Sequence, residues 1–301
     1  MKRRRAHLLH APSSLLLVGY GDIAARIAEQ ALSETPGGPV YSLSRHCPAA
    51  PAHAWPLDLD RMDAQLNGDA RAACSRSVLI YTAPPAAHGT DDTRVTRLIA
   101  LLGASRPRGL VYLSTSGVYG DCGGAWVDES RLPAPGNDRA RRRLSAERQW
   151  TAYAQAHQIP LTILRVPGIY GPGRLPLQRL RDGLPVVCPN EAPWSNRVHA
   201  DDLAWACLLA ARTPPASGIA IYPVVDDEPS STTDFLYRIA DYAGLPRPPC
   251  RPLAELREQS GAMQREFLDE SRRLSNARIK AQLGWTPRYP TLDQGLPGCF
   301  D

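Results

Sequence analysis

The sequence predicts an α/β fold with a doubly wound parallel sheet. Three observations carry that reading: an apolar run that ends in spaced glycines, strand and helix patterns that alternate through the first half, and breaker clusters between them. The apolar run is Leu15–Val18, and it passes directly into Gly19-Tyr20-Gly21-Asp22-Ile23-Ala24, a G-x-G-x-x-A spacing. Gly19 suits a tight turn, Gly21 leaves the backbone open to a pyrophosphate, and small Ala24 lets the following helix pack on the sheet. That helix, Ile23 to Leu32, turns its first N–H groups, those of Asp22 and Ile23 among them, and its positive dipole end toward phosphates. The turn is that of a Rossmann-type dinucleotide site, and a tight connection in some other α/β protein is the alternative that context must exclude.

The remaining elements follow in order. Thr35-Pro36-Gly37-Gly38-Pro39 breaks the chain before a second strand at Val40–Leu43. An acidic residue after that strand would hold the ribose 2′-hydroxyl of NAD, whereas this chain has Ser44-Arg45, and an arginine accommodates a 2′-phosphate. The expected cofactor is therefore NADP, with NAD the alternative. A third strand near His53–Leu57 leads to Asp58-Leu59, and a fourth, Ser77–Thr82, ends at Ala83-Pro84-Pro85. Val95, Leu98, Ile99 and Leu102 have helical spacing, and Gly109–Leu113 reads as a fifth strand. Alternation of this kind calls for right-handed crossovers and a parallel sheet, the context a glycine motif needs.

Composition removes several classes of function. No apolar run approaches the roughly 20 residues of a membrane span, so no membrane partner is expected. Only Lys2 and Lys280 are lysines, leaving arginine as 33 of the 35 cationic residues, but 30 acidic residues are interspersed and the net charge is only +5. A basic stripe for nucleic acid is absent. The basic start Met1–Arg5 is followed by a run broken at His10 and Pro12, so residues 1–12 read as a flexible leader and not an export signal. Seven scattered cysteines without a C-x-x-C pair fit reduced thiols in a cytoplasm, with neither a disulfide frame nor a metal site.

After the fifth strand comes Ser114-Thr115-Ser116-Gly117-Val118-Tyr119-Gly120-Asp121. Further on stand Leu164-Arg165-Val166-Pro167-Gly168-Ile169-Tyr170-Gly171-Pro172-Gly173, Asn196-Arg197-Val198-His199-Ala200-Asp201-Asp202, and Leu283-Gly284-Trp285-Thr286-Pro287. Together with the glycine turn, these stretches resemble the extended short-chain dehydrogenases/reductases, the nucleotide-sugar epimerase and dehydratase family, and in particular a bacterial atypical branch of it. The resemblance implies a Rossmann domain over residues 13–168. Residues 169–301 then form mainly a smaller α+β substrate-binding region, with some segments returning to the sheet. It also implies a sixth strand ending near Val166, a proline loop at Pro167 beside the nicotinamide, and a small-molecule substrate such as a nucleotide-sugar. A homodimer is compatible with it.

The chain departs from the family where the chemistry lies. Active members pair a Ser or Thr after the fifth strand with a Tyr-x-x-x-Lys on the next helix, where the tyrosine moves a proton and the lysine lowers its pKa and holds the ribose. Thr115 matches the first position. Aligned through Glu147, the tyrosine falls at Arg139 and the lysine at Arg143. Arg143 can serve as a fixed cation for ribose or phosphate, but the guanidinium of Arg139 does not release its proton near neutral pH. This arginine run reads either as a solvated helix face or as an anion pocket. Ser116-Gly117 stand where the dehydratases carry Asp-Glu, which argues against dehydration.

Candidate catalytic residues are thus Thr115 and Tyr119, with Asp121 and Cys122 as further replacement acids. Arg139, Tyr170 and Arg197 are candidate substrate contacts. His199 reads as a capping histidine before a base. Helices are expected near Leu177–Arg181, Asp201–Ala211, Ser230–Ala243, Leu253–Gln259 and Ser275–Leu283, with a strand at Ile219–Val225. The reading this supports is an NADP-binding oxidoreductase or epimerase without the usual dyad. Its rival is a non-catalytic NAD(P)-binding sensor or assembly protein.

Overall fold

The structure, a computed structural model, describes residues 14–46, 53–216, 218–261, 265 and 268–300. The leader read at residues 1–12 lies outside the described residues. Seven strands form one sheet: β1 (Leu15–Val18), β2 (Val40–Ser44), β3 (His53–Pro56), β4 (Val78–Tyr81), β5 (Gly109–Thr115), β6 (Leu161–Val166) and β7 (Ile219–Pro223). Their spatial order is β3-β2-β1-β4-β5-β6-β7, and every pairing is parallel. The chain therefore winds outward from β1 to β3, crosses back, and winds outward again from β4. The switch falls between β1 and β4, the place where open α/β sheets hold their ligands.

Strand periodicity decides which side chains face which layer. Leu15 and Leu17 point to one face, against Ala24 and Ile27 of α1 (Asp22–Glu34) and Leu203 and Cys207 of α6 (Ala200–Arg212). Leu16 and Val18 point to the other face. They join a core with Cys74 of α2 (Gly68–Arg76), Leu98 of α3 (Thr93–Leu102) and Trp150 of α4 (Asp138–His157). With both faces covered, β1 reads as a continuous apolar run. Asn67, Asp92, Asn137 and Ser231 cap α2, α3, α4 and α7 (Thr232–Tyr242), each accepting from a first-turn N–H. Caps of this kind are each worth about 1 kcal/mol. α2 has no counterpart among the expected elements, because its inward positions are only Ala70, Ala73 and Cys74 and give little apolar periodicity.

Two of the motifs that carry the resemblance meet inside the fold. The Asp202 carboxylate accepts from the backbone N–H groups of Arg288 (2.7 Å) and Tyr289 (2.9 Å), and the fully buried Trp285 indole donates to the Asp202 carbonyl at 3.1 Å. The segment after Trp285 is thereby fastened to the first turn of α6. A separate apolar cluster, with Tyr170, Leu180 of α5 (Leu177–Arg181), Phe235 and Leu236 of α7, and Leu292, forms the smaller layer beyond the carboxyl ends of the strands. Among the described residues, no helix is long and apolar enough to cross a membrane.

Candidate active site

The glycine turn sits at the sheet's switch point. Gly19 adopts φ +87°, and a Cβ placed there would stand 2.6 Å from the backbone of Ala83 at the end of β4, so glycine is required twice over. Gly21 differs, since a Cβ there would meet nothing within 4 Å. That open approach is the space a pyrophosphate needs. Gly21 also supplies no side-chain cap to α1, so no capping side chain occupies the first-turn N–H groups.

A cavity of about 230 Å³ extends from this turn and gathers Gly19, Gly21, Ser44, Arg45, Asp58, Leu59, Ala83 and Pro84 from four separate loops. Arg45 is exposed at its lip, and the Ser44 hydroxyl donates to the His46 carbonyl at 2.5 Å. Sequence reasoning missed Asp60 and Arg94, which line the same cavity and form a two-pronged ion pair at 2.7 and 2.5 Å. Arg94 also donates to the carbonyls of Pro84 and Pro85 at 3.0 and 3.2 Å, tying the loop after β4 to α3. The residues present fit a dinucleotide.

A second cavity, of about 560 Å³, opens where β5 and β6 end. Thr115, Ser116 and Gly117 form one wall, Arg139 and Ala140 of α4 another, and Pro167, Gly168 and Ile169 a third. The smaller layer closes it with Arg174, Arg179, Trp194, Arg197, Phe235 and Leu236. Thr115 is half-buried, and its hydroxyl oxygen accepts the Gly117 N–H at 3.2 Å. Beneath it the neighbouring Ser114 hydroxyl donates at 2.5 Å to Glu147, whose carboxylate is gripped by Arg165 at 3.1 and 2.8 Å. The two cavities are bridged by Arg174, which donates to Asp22 of the glycine turn at 2.6 Å.

The charges on this wall are unequal. Five arginines line it, at 139, 174, 179, 197 and 272, while Glu270 is the one carboxylate among the described lining residues. Glu270 accepts from Asn137, the cap of α4, at 3.3 Å and from Arg272 at 2.7 Å. Arg197 is nine-tenths buried and donates to the Ser195 hydroxyl and the Asn196 carbonyl, at 3.0 and 2.8 Å. Burial pushes its guanidinium down to about 10, partly countered by Asp226. Arg179 donates to the Pro185 carbonyl at 2.7 Å, and burial lowers it too. Such a wall attracts anions.

Several expected site residues lie elsewhere. Tyr119 is buried beneath the loop, with the Arg165 guanidinium 4.7 Å from its ring centroid, because the turn Ser116–Tyr119 directs it into the core. Burial raises its pKa, with Arg165 opposing, and its hydroxyl does not face the cavity. Tyr170 is fully buried against Phe235 and His199 and reaches only the Thr291 carbonyl, at 3.5 Å. Asp121 is engaged by the N–H groups of Gly123 and Ser271, at 3.1 and 2.9 Å. Cys122 is likewise absent from the cavity wall. Arg143 turns one nitrogen down to the carbonyls of Ala83 (3.4 Å) and Leu113 (3.0 Å), joining the ends of β4 and β5, and lines neither cavity. Asp22 gives its carboxylate to Arg26 and Arg174 and is not among the residues lining the cleft. His199 caps α6 by accepting the Asp201 N–H at 3.2 Å, and burial pushes its imidazole down to about 4, as a capping residue and not a base.

Fold, glycine turn and Thr115 cavity together define a Rossmann-type extended short-chain dehydrogenase/reductase. Residues 82–222 match the NAD dependent epimerase/dehydratase family. A solved structure of a functionally unknown conserved protein from Silicibacter pomeroyi is 31% identical, with a TM-score of 0.75 over 95% of this chain and 98% of that one. The chain belongs to the NAD dependent epimerase/dehydratase family. MoeE5, solved with UDP-glucose and NAD, shares the fold at 20% identity, with a TM-score of 0.74 over 95% of this chain and 97% of its own. A 3-diazoavenalumate denitrifying reductase from a Streptomyces species is 28% identical over 141 residues, 44% of this chain. That match spans 45% of the reductase, under half its length.

Proposed function

We propose that the protein binds NADP in the cleft at Gly19–Ala24 and acts as an oxidoreductase or epimerase on a nucleotide-sugar or similar hydroxyl or carbonyl compound in the Thr115 cavity. One observation carries this reading: the glycine turn and the Thr115 wall open at the same end of the sheet, joined by the Asp22–Arg174 bridge. The cationic wall supports an anionic substrate, as the diphosphate of a nucleotide-sugar would be. Arg45 at the cleft's lip, in place of an acid, supports NADP over NAD. When bound, the nicotinamide supplies hydride chemistry. The chain's part is to place the substrate oxygen against the Thr115 hydroxyl, with Pro167 shaping the cavity beside it and Arg179 and Arg197 holding the anion. Arg139, as a permanent cation, orients charge and does not move a proton. The cytoplasm is the compartment this reading assumes.

Calorimetric titration tests it. NADP is expected to bind, with Arg45→Asp weakening NADP at least tenfold while sparing NAD; heat from neither dinucleotide would sink the proposal. A second reading, a binder without turnover, is favoured by one specific feature: no tyrosine is among the described residues lining the Thr115 cavity. Tight NADP binding with no nicotinamide absorbance change across UDP-glucose, UDP-glucuronate and simple carbonyl compounds would select it.

A further inference from the structure

Two cysteines far apart in sequence meet at the edge of the smaller layer. The short strands Val186–Val187 and Cys250–Arg251 pair in parallel, with Cys250 level with Val186 and Arg251 level with Val187. Backbone bonds from Val186 N–H to the Pro249 carbonyl and from Cys188 N–H to the Arg251 carbonyl, both 2.9 Å, extend the ladder by one residue at its end. Side chains alternate along a strand, so Cys188, two residues past Val186, stands on the same face as Cys250. Cys250 is the group that acts most strongly on the Cys188 thiol, ahead of burial. Cys250 is exposed and Cys188 half-buried, whereas Cys74, Cys207 and Cys299 are sealed in the core.

We propose that Cys188 and Cys250 form an oxidisable dithiol, a modification site that closes to a disulfide on exposure to a low-molecular-mass disulfide. The exposed Cys250 sulfur attacks the reagent, forming a mixed disulfide and releasing one small thiolate. Cys188 then attacks the Cys250 sulfur, the protein disulfide forms, and the second small thiolate leaves. Two protein thiols are oxidised and one small disulfide is reduced, the two leaving thiolates taking up the two protons that the protein thiols give up. The neighbouring sulfur of Cys250, with burial second, pushes Cys188 up to about 11 in the reduced pair. Capping Cys250 removes the larger of these causes and frees Cys188 to ionise, so the second step follows the first.

The pair adjoins the substrate cavity. The Val187 carbonyl accepts the Thr233 hydroxyl at 2.7 Å, in the first turn of α7, and Thr232, Phe235 and Leu236 of that helix line the cavity. A disulfide therefore fastens the strand pair on which this wall rests.

The test treats the folded full chain with glutathione disulfide, blocks remaining thiols with N-ethylmaleimide, and maps peptides by mass spectrometry. A linked Cys188–Cys250 peptide is expected, two hydrogens lighter than the reduced pair, with the seven thiols of the chain reduced to five. Cys188→Ser should stop at a glutathione adduct on Cys250, and Cys250→Ser should give no protein disulfide. Amide exchange across residues 186–188, 250–251 and 232–236 should slow in the oxidised protein, and unchanged exchange would refute the link to the cavity wall. A stable glutathione adduct on Cys250 of the unmodified sequence, or no reaction at either residue, overturns the proposal. None of these outcomes depends on the cofactor or substrate assigned above.

Discussion

Replacing Glu147 with glutamine removes one charge from a buried pair that supports the Thr115 wall. The Glu147 and Arg165 side chains are only 5% and 3% exposed, and three hydrogen bonds converge on the carboxylate, two from Arg165 and one from Ser114. Glutamine keeps the shape but offers a single acceptor, so Arg165 is left charged, buried and half-satisfied. Breaking one partner of such a pair costs about 3–5 kcal/mol. That is a large share of the roughly 5–15 kcal/mol by which domains are stable. Urea unfolding followed by circular dichroism measures it directly. The double replacement Glu147→Met with Arg165→Met removes both charges and should recover most of the loss, since the pair's attraction is largely spent on its own desolvation. A loss below about 1 kcal/mol in the single variant would refute the reasoning, because it would mean the pair is solvated. The consequence reaches the site through register: Ser114 pairs with Arg165 and Thr115 with Val166, so loosening the pair displaces Thr115.

Two further outcomes follow from the geometry. Gly19→Ala sets a methyl 2.6 Å from the Ala83 backbone at φ +87°, and calorimetry should show dinucleotide binding abolished, with near-native affinity counting against the turn's role. Asp226, pushed up to about 8 by burial, carries a stability that is complete below its unfolded value near 4 and declines as pH rises toward 8. Its replacement by asparagine should flatten the fall in melting temperature between pH 6.5 and 8, and identical slopes would contradict the buried, protonated state. His199 acts in the opposite sense and in a different window, since its folded value of about 4 makes acidification below 6.5 destabilising.

The sheet was legible because both of its signals are local. Leu15–Val18 and Val78–Tyr81 are buried on both faces and so read as unbroken apolar runs, while Gly19 and the prolines after Ala83 punctuate them. The cleft at the glycine turn was legible for the same reason, since each of its loops follows immediately on a strand end. The Thr115 cavity was not. Arg174, Arg179, Trp194, Glu270 and Arg272 come from loops and short helices whose sequence has no periodicity, and only tertiary packing brings them to one wall. Tyr119 and Tyr170 show the converse failure: a tyrosine near a catalytic motif reads alike whether its hydroxyl faces the cavity or the core. The Cys188–Cys250 contact was invisible from spacing because a parallel pairing, and no local motif, makes it.

The signatures that this chain shares with its family are chiefly mechanical. His199 caps a helix, Asp202 and Trp285 clasp the segment Trp285 to Tyr289 to α6, and Glu147 neutralises a buried arginine. Each does its work without substrate, so their presence supports the fold and leaves the chemistry to be argued from the cavity itself. Arg139, which the alignment through Glu147 sets at the tyrosine's position, lines that cavity, and a guanidinium can bind a developing oxyanion but cannot exchange a proton with it near neutral pH. Thr115 can donate and accept a hydrogen bond but needs a partner to accept its proton. Glu270, held by Asn137 and Arg272, is the one carboxylate among the described residues of that wall. Any proton exchanged with a substrate oxygen in this cavity would have to pass by way of Thr115 to that carboxylate or to water, since the Arg139 guanidinium keeps its own.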